Sequence, residues 1–284
     1  MQGINPVVIV TGGGSGVGQA AAVEFAERGS AVAVVGRDHE KLQGTVATIE
    51  GAGGTATAVV ADVGDAEAPR RIIDAVVGAW GRIDVLVNNA AHIKQASIEQ
   101  VTVEDFDRHI AVNVRGPFLL SQAALPYLRK APAPSIVNVS SASAVMALPG
   151  EVCYATTKAA IEHLTKLMAS ELAPIGIRVN CIQPGGVDTR IHLVYAADDP
   201  EDRIRRLTAL IPRGRMATAK EIAHWIVEMT TPEASHVTGA ILRVDGGLSL
   251  PGATVGLHTP EAVRRAPRSS AGVVARPVEA VEVV

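Results

Sequence analysis

The sequence has few aromatic residues and almost no cysteine. Phe, Tyr and Trp make up 3% of the 284 residues, whereas hydrophobic residues reach 48%. The core must therefore be built from Ala, Val, Ile and Leu, which suits helices packed closely on a parallel sheet. The two cysteines, Cys153 and Cys181, provide neither a disulfide framework nor the spacing of a metal site. We expect a reduced, cytoplasmic chain that holds no metal.

The sequence also lacks a strong charge excess and a long apolar run. Its formal net charge is −3, so it has no basic footprint for nucleic acid. No apolar stretch approaches the roughly 18 residues of a membrane span, and the first residues lack the pattern of a signal peptide. We expect neither nucleic acid nor membrane as a partner, and a chain of this length fits one large α/β domain.

Short apolar runs alternate with helical patterns along the chain. The predicted strands cover residues 7–10, 31–35, 56–61, 83–87, 135–139, 178–182 and 241–244. The predicted helices cover 19–28, 39–51, 66–80, 103–130 (interrupted near Gly116-Pro117) and 154–173. This alternation predicts an α/β fold, a single Rossmann-type domain over residues 1–250 with a doubly wound parallel seven-stranded sheet and helices on both faces. Ligands of such sheets bind at the carboxyl ends of the strands.

A glycine-rich turn, residues 11–18, follows the first strand and precedes a helix. In this setting backbone amides and a helix N-terminus can bind a pyrophosphate, and glycine permits the close approach. The alternative is a flexible turn, which the flanking strand and helix make less favourable.

The end of the second strand bears on which dinucleotide is bound. It reads Gly36-Arg37-Asp38, where a glycine and an arginine leave room and positive charge for a 2′-phosphate. This favours NADP(H). The alternative is that Asp38 reaches the ribose and the cofactor is NAD(H).

Two further strand ends carry polar side chains. Asp62 could meet an adenine amino group, or it could cap the following helix. Asn88 and Asn89 could shape a nucleoside pocket, or they could serve ordinary turn chemistry.

Tyr154 and Lys158 lie one helical turn apart, which puts a phenol and an ammonium on the same face. A free tyrosine has a pKa of about 10, and a cation within about 4–5 Å could lower it by several units. The pair could then act as a general acid–base on a carbonyl or an alcohol. The alternative is that Tyr154 is an ordinary amphipathic helix residue.

Together these residues resemble the short-chain dehydrogenase/reductase family over about residues 5–250. The shared motifs are Thr11-Gly12-x-x-x-Gly16-x-Gly18, Asp62, Asn88-Asn89-Ala90, Asn113, Ser141, Tyr154-x-x-x-Lys158, Pro184-Gly185 and Thr189. One departure is Ala91, where the family often has glycine. The resemblance implies a hydride-transferring enzyme that assembles as a tetramer or dimer, with helices 103–130 and 154–173 as its assembly faces.

The resemblance also implies a role for each catalytic residue. Tyr154 is the general acid in reduction and the base in oxidation. Lys158 lowers the pKa of Tyr154 and binds the nicotinamide ribose. Ser141, preferred over Ser140 because it lies thirteen residues before the tyrosine, hydrogen-bonds the substrate carbonyl. Asn113 holds a relay water at a helix irregularity.

The residues expected to bind the dinucleotide are Thr11, Gly12, Gly14, Ser15, Gly16, Val17, Gly18, Arg37, Asp62, Val63, Asn89, Ala90, Tyr154, Lys158, Pro184, Gly185, Val187 and Thr189. Thr189 and the backbone of Val187 are expected to hold the carboxamide.

Two segments are expected to lie outside this common plan. Residues 190–212 form the predicted substrate lid, whose arginines could bind an anionic substrate or pair with neighbouring acids. Residues 251–284 form a C-terminal extension, expected to be disordered or to pack on a neighbouring subunit.

The sequence thus predicts an oxidoreductase that transfers a hydride between NADP(H) and a ketone or secondary alcohol, such as a 3-oxoacyl or polyketide-like compound. A second possibility is an NAD-dependent alcohol or hydroxysteroid-type dehydrogenase. A third is a dinucleotide-binding sensor or scaffold without turnover, against which Ser141, Tyr154 and Lys158 argue together.

Overall fold

The computed structural model describes residues 6–189 and 200–250. Within these residues, seven strands form one parallel sheet in the order β3-β2-β1-β4-β5-β6-β9. They are β1 Val7–Thr11, β2 Ala31–Gly36, β3 Thr55–Val60, β4 Val85–Asn88, β5 Ser135–Val139, β6 Arg178–Pro184 and β9 Ile241–Val244. The doubly wound order reverses beside β1, so the ends of β1 and β4 flank the crevice where such sheets bind ligands.

Helices connect the strands and cover both faces of the sheet. They are α1 Gly16–Glu27, α2 His39–Gly51, α3 Ala68–Trp80, α4 Val103–Ile110, α5 Gly116–Leu128, α6 Val152–Leu172, α7 Pro200–Leu210 and α8 Ala219–Glu228. Alternate residues of β1 point to opposite sides. Val7 and Ile9 pack with α3 and α5, whereas Val8 and Val10 pack with α1, α2 and α8. Both faces of β1 are therefore buried, which explains its uninterrupted apolar run, whereas the edge strands β3 and β9 are only partly buried.

The fold class and the seven-stranded parallel sheet are confirmed, with strand bounds that differ from the prediction by at most two residues. The helix α8 and a small second sheet, β7 Val187–Asp188 with β8 Ala217–Thr218, were not predicted. The possibility that Asp62 caps a helix is wrong, because α3 begins only at Ala68.

The irregularity in the predicted helix 103–130 lies earlier than expected. A π-helical turn, Ala111–Arg115, precedes α5, and Gly116 and Pro117 form the first turn of α5. Since Pro117 has no N–H, the carbonyl of Asn113 lacks its α-helical donor. A β-carbon at Gly116 would lie 2.5 Å from the Val63 carbonyl, so close packing requires glycine there.

None of the helices within the described ranges is both long and apolar enough to cross a lipid bilayer. The same residues contain no cluster of three or more His, Cys, Asp or Glu side chains placed to hold a metal ion. Most of the predicted lid, 190–199, and the C-terminal extension, 251–284, lie outside the described residues. The remainder of the lid includes α7.

Candidate active site

The glycine-rich turn between β1 and α1 is packed too tightly for side chains at two positions. Gly12 has a φ of 67°, which L-residues rarely adopt, and a β-carbon on Gly18 would lie 2.3 Å from the Gly12 carbonyl oxygen. The turn therefore brings bare backbone to the carboxyl edge of the sheet, as close binding of a pyrophosphate requires. Helix α1 begins at Gly16, and its N-cap residue, Ser15, makes no side-chain cap.

A cleft of about 640 Å³ opens beside this turn. Seven of the residues predicted to bind the dinucleotide line it: Gly12, Gly14, Ser15, Arg37, Asp62, Val63 and Ala90. The glycine cradle and the size of the cleft fit the adenosine and pyrophosphate part of a dinucleotide.

Thr11 and Asn89 connect the turn to the end of β4. The Thr11 hydroxyl accepts hydrogen bonds from the backbone N–H groups of Asn89 and Ala90, at 2.9 and 3.0 Å. It donates to the Val87 carbonyl at 3.1 Å, and the Asn89 amide donates to the Thr11 carbonyl at 2.9 Å. These side chains thus hold the two strand ends together, which shapes the cleft from behind.

Asp62 at the end of β3 is paired with an arginine that also lines the cleft. An Arg108 guanidinium nitrogen lies 2.6 Å from Asp62 Oδ2, and the N–H of Gly64 donates to Oδ1 at 2.9 Å. Burial works against ionisation, but the hydrogen bonds from Arg108 and Gly64 keep the pKa of Asp62 below its ordinary value. An adenine amino group would therefore meet a charged carboxylate that is already held in place.

Asp38, the acid that could have favoured NAD(H), is engaged by its own helix. It caps α2 by accepting from the Lys41 N–H at 3.2 Å, and its other oxygen lies 2.9 Å from Lys41 Nζ. The Lys41 side chain accordingly lowers the pKa of Asp38. Arg37, Asp38 and Lys41 all line the cleft, so these three side chains together carry one net positive charge.

Helix α6 carries the predicted acid–base pair, and neither residue is among the described residues that line the cleft. Tyr154 is 8% exposed, and Ser141, which follows β5, is the hydroxyl residue that acts on its pKa. Ser140 is buried, and its single hydroxyl proton has the Glu162 carboxylate at 2.8 Å and the Lys158 carbonyl at 3.1 Å as its acceptors. The geometry is therefore consistent with the preference for Ser141.

The predicted lowering of the Tyr154 pKa is not produced by the protein groups. Burial raises the pKa of Tyr154 to about 12; the Ser141 hydrogen bond opposes the rise, and the charge of Glu151 adds to it. A neighbouring cation favours the phenolate, but the loss of water around the phenol favours the neutral form and is the largest effect at Tyr154. Lys158 lies one turn away with Nζ 5.6 Å from the centre of the Tyr154 ring.

Lys158 is itself buried, and its ammonium donates to the Val139 carbonyl at 2.7 Å. Burial lowers the pKa of Lys158 to about 8. A lysine that loses its charge this easily attracts the phenol less strongly at alkaline pH. The nearby carboxylate of Glu162 works in the opposite direction and favours the ammonium.

Asn113 connects the wall of the cleft to α6. Its Oδ1 accepts from the His92 N–H at 2.7 Å, and its Nδ2 donates to the His92 carbonyl at 2.9 Å and to Thr157 at 3.0 Å. His92 lines the cleft, whereas Tyr154 is not among the lining residues that the structure describes. Asn113 thus links the dinucleotide side of the site to the helix of the acid–base pair.

The turn after β6 approaches the glycine-rich turn from the opposite side. A β-carbon on Gly16 would lie 3.4 Å from Thr189 Cγ2, so these two segments are in contact. Close packing of Gly185 against Asp245 leaves no room for a side chain, since a β-carbon would lie 2.8 Å from Asp245 Cα. Val187 is held by β8. The predicted carboxamide-binding segment therefore faces the pyrophosphate turn.

Several residues around the site were not predicted. Arg108 and His92 line the cleft, and burial and nearby cations lower the pKa of His92. Glu151 and Ser143 form a buried contact behind Ser141. No local motif in the sequence signals these residues, because each is placed by tertiary packing.

The sheet order, the glycine turn at a strand end and the cleft define a dinucleotide-binding α/β protein. Comparison with known proteins gives the family. A family model described as enoyl-(acyl carrier protein) reductase matches residues 12–249.

Curated relatives cover nearly the same region. An uncharacterized oxidoreductase of Thermotoga maritima is 41% identical over 244 residues, which are 85% of this chain and 96% of that protein. The 3-oxoacyl-(acyl-carrier-protein) reductase FabG of the same organism is 37% identical over 242 residues, 85% of this chain and 97% of that protein. The 3beta-hydroxysteroid dehydrogenase 1 of Eggerthella lenta is 38% identical over 246 residues, 86% of this chain and 93% of that protein.

Solved structures of the same family superpose on this chain. A short-chain dehydrogenase/reductase from Serratia marcescens superposes with a TM-score of 0.80 at 34% identity, covering 86% of this chain and 98% of that chain. The chain belongs to the short-chain dehydrogenase/reductase family and is an oxidoreductase that acts on CH–OH donors.

Proposed function

We propose that this oxidoreductase transfers a hydride between NADP(H) and a ketone or secondary alcohol, with Tyr154 as general acid–base. The observation that carries the proposal is the buried Tyr154 side chain, whose pKa responds to Ser141 and which lies one turn from Lys158. The bound dinucleotide supplies or accepts the hydride and, when oxidised, adds a positive charge. Every proton movement falls to the chain's own side chains.

Reduction is the direction that the protein groups support best. A phenol with a pKa of about 12 stays protonated at neutral pH, so Tyr154 already carries the proton that it donates when a carbonyl substrate binds. Ser141 hydrogen-bonds the same oxygen as it gains negative charge. Lys158 binds the nicotinamide ribose. Asn113, whose backbone carbonyl lacks its α-helical N–H donor, holds the water through which Tyr154 is reprotonated.

The preference for NADP(H) is supported by the charges that line the cleft after β2. Asp38 is paired with Lys41, so Arg37 supplies the net positive charge there. A charge-assisted hydrogen bond contributes about 1.5–3 kcal/mol, so Arg37→Gln should lower kcat/KM for NADPH roughly 10–100-fold and leave NADH nearly unchanged. Arg70→Gln, an exposed arginine on α3, is the matched control. An unchanged NADPH:NADH ratio in Arg37→Gln would refute the preference.

For the substrate, we propose a ketone of the 3-oxoacyl or polyketide-like class, because one relative is named a 3-oxoacyl-(acyl-carrier-protein) reductase. The second candidate is NAD-dependent oxidation of a cyclic or steroid alcohol, which the relative named 3beta-hydroxysteroid dehydrogenase favours. The test is an absorbance assay of both nicotinamide cofactors with a panel of 3-oxoacyl thioesters, cyclic ketones and steroid alcohols. Turnover only with NAD⁺ and alcohols would favour the second candidate.

A homo-oligomer is also proposed. Phe106 on α4, Phe118 on α5 and Leu167 on α6 are large apolar side chains that stay exposed in the single chain. Patches of this kind mark protein–protein contacts. Sedimentation should give a dimer or tetramer mass, and replacing Phe106 and Phe118 with Asp should reduce it. A monomeric mass for the unaltered protein would contradict the proposal.

A further inference from the structure

A line of hydroxyl groups leads from the acid–base residue to a buried carboxylate. Ser143 Oγ donates to Glu151 Oε2 at 2.7 Å, and Ser141 Oγ lies 3.2 Å from Ser143 Oγ. Ser141 is also the hydroxyl residue that acts on the Tyr154 pKa. Glu151 is only 6% exposed, so the line ends on a charged group that is almost out of contact with water.

Glu151 occupies the N-cap position of α6, where an acidic side chain usually accepts a hydrogen bond from a backbone N–H of the first helical turn. Its side chain makes no such cap hydrogen bond. Instead, its oxygens accept from Ser143 and from the Gln95 amide, which lies 3.1 Å from Oε1. A buried carboxylate is tolerated only when hydrogen-bonded in this way. The fold therefore aims this carboxylate at the serine pair.

Counting protons gives the direction of each hydrogen bond. An ionised carboxylate only accepts, so the single Ser143 proton lies toward Glu151. Ser143 Oγ can then only accept the Ser141 proton. Ser141 Oγ in turn accepts from the Ser143 N–H at 3.2 Å. While its own proton points to Ser143, Ser141 can act toward the Tyr154 hydroxyl only as an acceptor. The whole line donates toward Glu151, and its first donor is the protonated phenol.

We infer that Glu151 is a positioning residue that acts through Ser143: it keeps the Ser141 proton turned away from Tyr154 and so holds the phenol in its protonated, acid form. The inference rests on the proposed role of Tyr154 as general acid–base. When Tyr154 gives up its proton, Ser141 must leave Ser143 and turn its own proton toward the new negative charge. Glu151 thereby makes the ready acid the resting arrangement of the site.

Among the other groups near Tyr154 is Lys158, one turn along α6, with Nζ 5.6 Å from the centre of the Tyr154 ring. Glu162 acts on Lys158, and burial raises the pKa of the nearby Cys181 thiol to about 12, which keeps it neutral. The hydrogen bonds of Lys158 and Glu162 go to Val139, Ser140 and Gln183 and not to the serine line, so changes at Glu151 or Ser143 leave those bonds intact. An effect of these changes can therefore be assigned to the line itself.

The test uses two single variants and their combination. In Glu151→Gln the amide can donate to Ser143, which frees the Ser143 proton for Ser141 and the Ser141 proton for Tyr154. In Ser143→Ala the acceptor of the Ser141 proton is lost. Both variants should lower the pH at which Tyr154 ionises by about one unit, a tenfold change in its proton affinity. The double variant should shift it little further, because the two residues act in series.

Tyrosinate absorbance reads this directly, since the chain has only three tyrosines. Each titration is run on the full-length protein with NADP⁺ and corrected by the same titration on the matching Tyr154→Phe background. Ser143→Thr keeps the hydroxyl and should restore the unaltered titration. Glu171→Gln, an exposed glutamate on the same helix, controls for the loss of one negative charge.

The pH profile of kcat/KM should move in the same direction as the titration. A shift in Glu151→Gln without one in Ser143→Ala would overturn the inference, because the carboxylate would then act through space. No shift in either variant would overturn it as well. Failure of the proposed function is distinguishable, since Tyr154→Phe would then retain turnover whatever the titrations show.

Discussion

Replacing Lys158 with methionine should remove activity and at the same time make the folded protein more stable at neutral pH. The ammonium is buried, and the lowering of its pKa from 10.5 to about 8 corresponds to roughly 3 kcal/mol of unfavourable burial at a pH where lysine is charged in both states. Methionine fills similar space without this charge. The Val139 carbonyl loses its partner, which costs about 1–3 kcal/mol. A net gain of about 1 kcal/mol remains.

The difference in free energy of unfolding between the unaltered protein and Lys158→Met should depend on pH. A lysine with a depressed folded pKa prefers to be neutral in the fold, so its cost is full below pH 8 and disappears as pH rises to 10.5. The unaltered protein should therefore gain about 3 kcal/mol relative to Lys158→Met across that interval. Urea unfolding followed by circular dichroism, at a series of pH values, measures it.

Lys166→Met is the matched control, because Lys166 is exposed on the same helix. Its replacement should leave the free energy of unfolding nearly unchanged at neutral pH. A Lys158→Met protein that is less stable than the unaltered one, by an amount that does not vary between pH 8 and 10.5, would show that the buried ammonium carries no such cost.

Two other variants test the turn and the phenol. Gly18→Ala would place a methyl group 2.3 Å from the Gly12 carbonyl oxygen. It should lower the free energy of unfolding by about 1–3 kcal/mol and abolish cofactor binding, measured by unfolding and by calorimetry. In the control Gly78→Ala, at a helix position with open space, the free energy of unfolding should rise by about 0.5–1 kcal/mol. A Gly18→Ala protein that binds the dinucleotide normally would contradict the packing argument. Because the folded pKa of Tyr154 is raised from 10.0 to about 12, its contribution to stability is present below pH 10 and about 3 kcal/mol is lost toward pH 12. Tyr154→Phe should reduce this alkaline loss in the same unfolding measurements, and an equal loss in both proteins would argue against burial of the phenol.

The strands were predictable because most are short, mainly apolar runs that end at glycine, Asp, Asn or Ser, and a strand buried on both faces, such as β1, needs little else. Helix α8 could also have been found. Thr218 and Glu221 form a capping box, and the spacing of these two residue types is visible in the sequence. The small β7–β8 sheet could not, because two-residue strands carry no periodic pattern.

For the site, residues joined by local motifs were predictable and their environment was not. Tyr154 and Lys158 are one turn apart in any helix, but the burial that raises one pKa and lowers the other depends on the packing of α6 against the rest of the fold. The contact between Ser143 and Glu151 likewise spans an irregular turn that no sequence period describes.

In the proposed reaction, the Tyr154 hydroxyl transfers the proton while the bound dinucleotide transfers the hydride. The most direct test is Tyr154→Phe, which removes a single oxygen, with dinucleotide affinity and turnover measured on the same preparation. We expect unchanged binding and a turnover reduced by about 10²–10⁴-fold, the usual contribution of a positioned general acid. Turnover close to that of the unaltered enzyme would contradict the account.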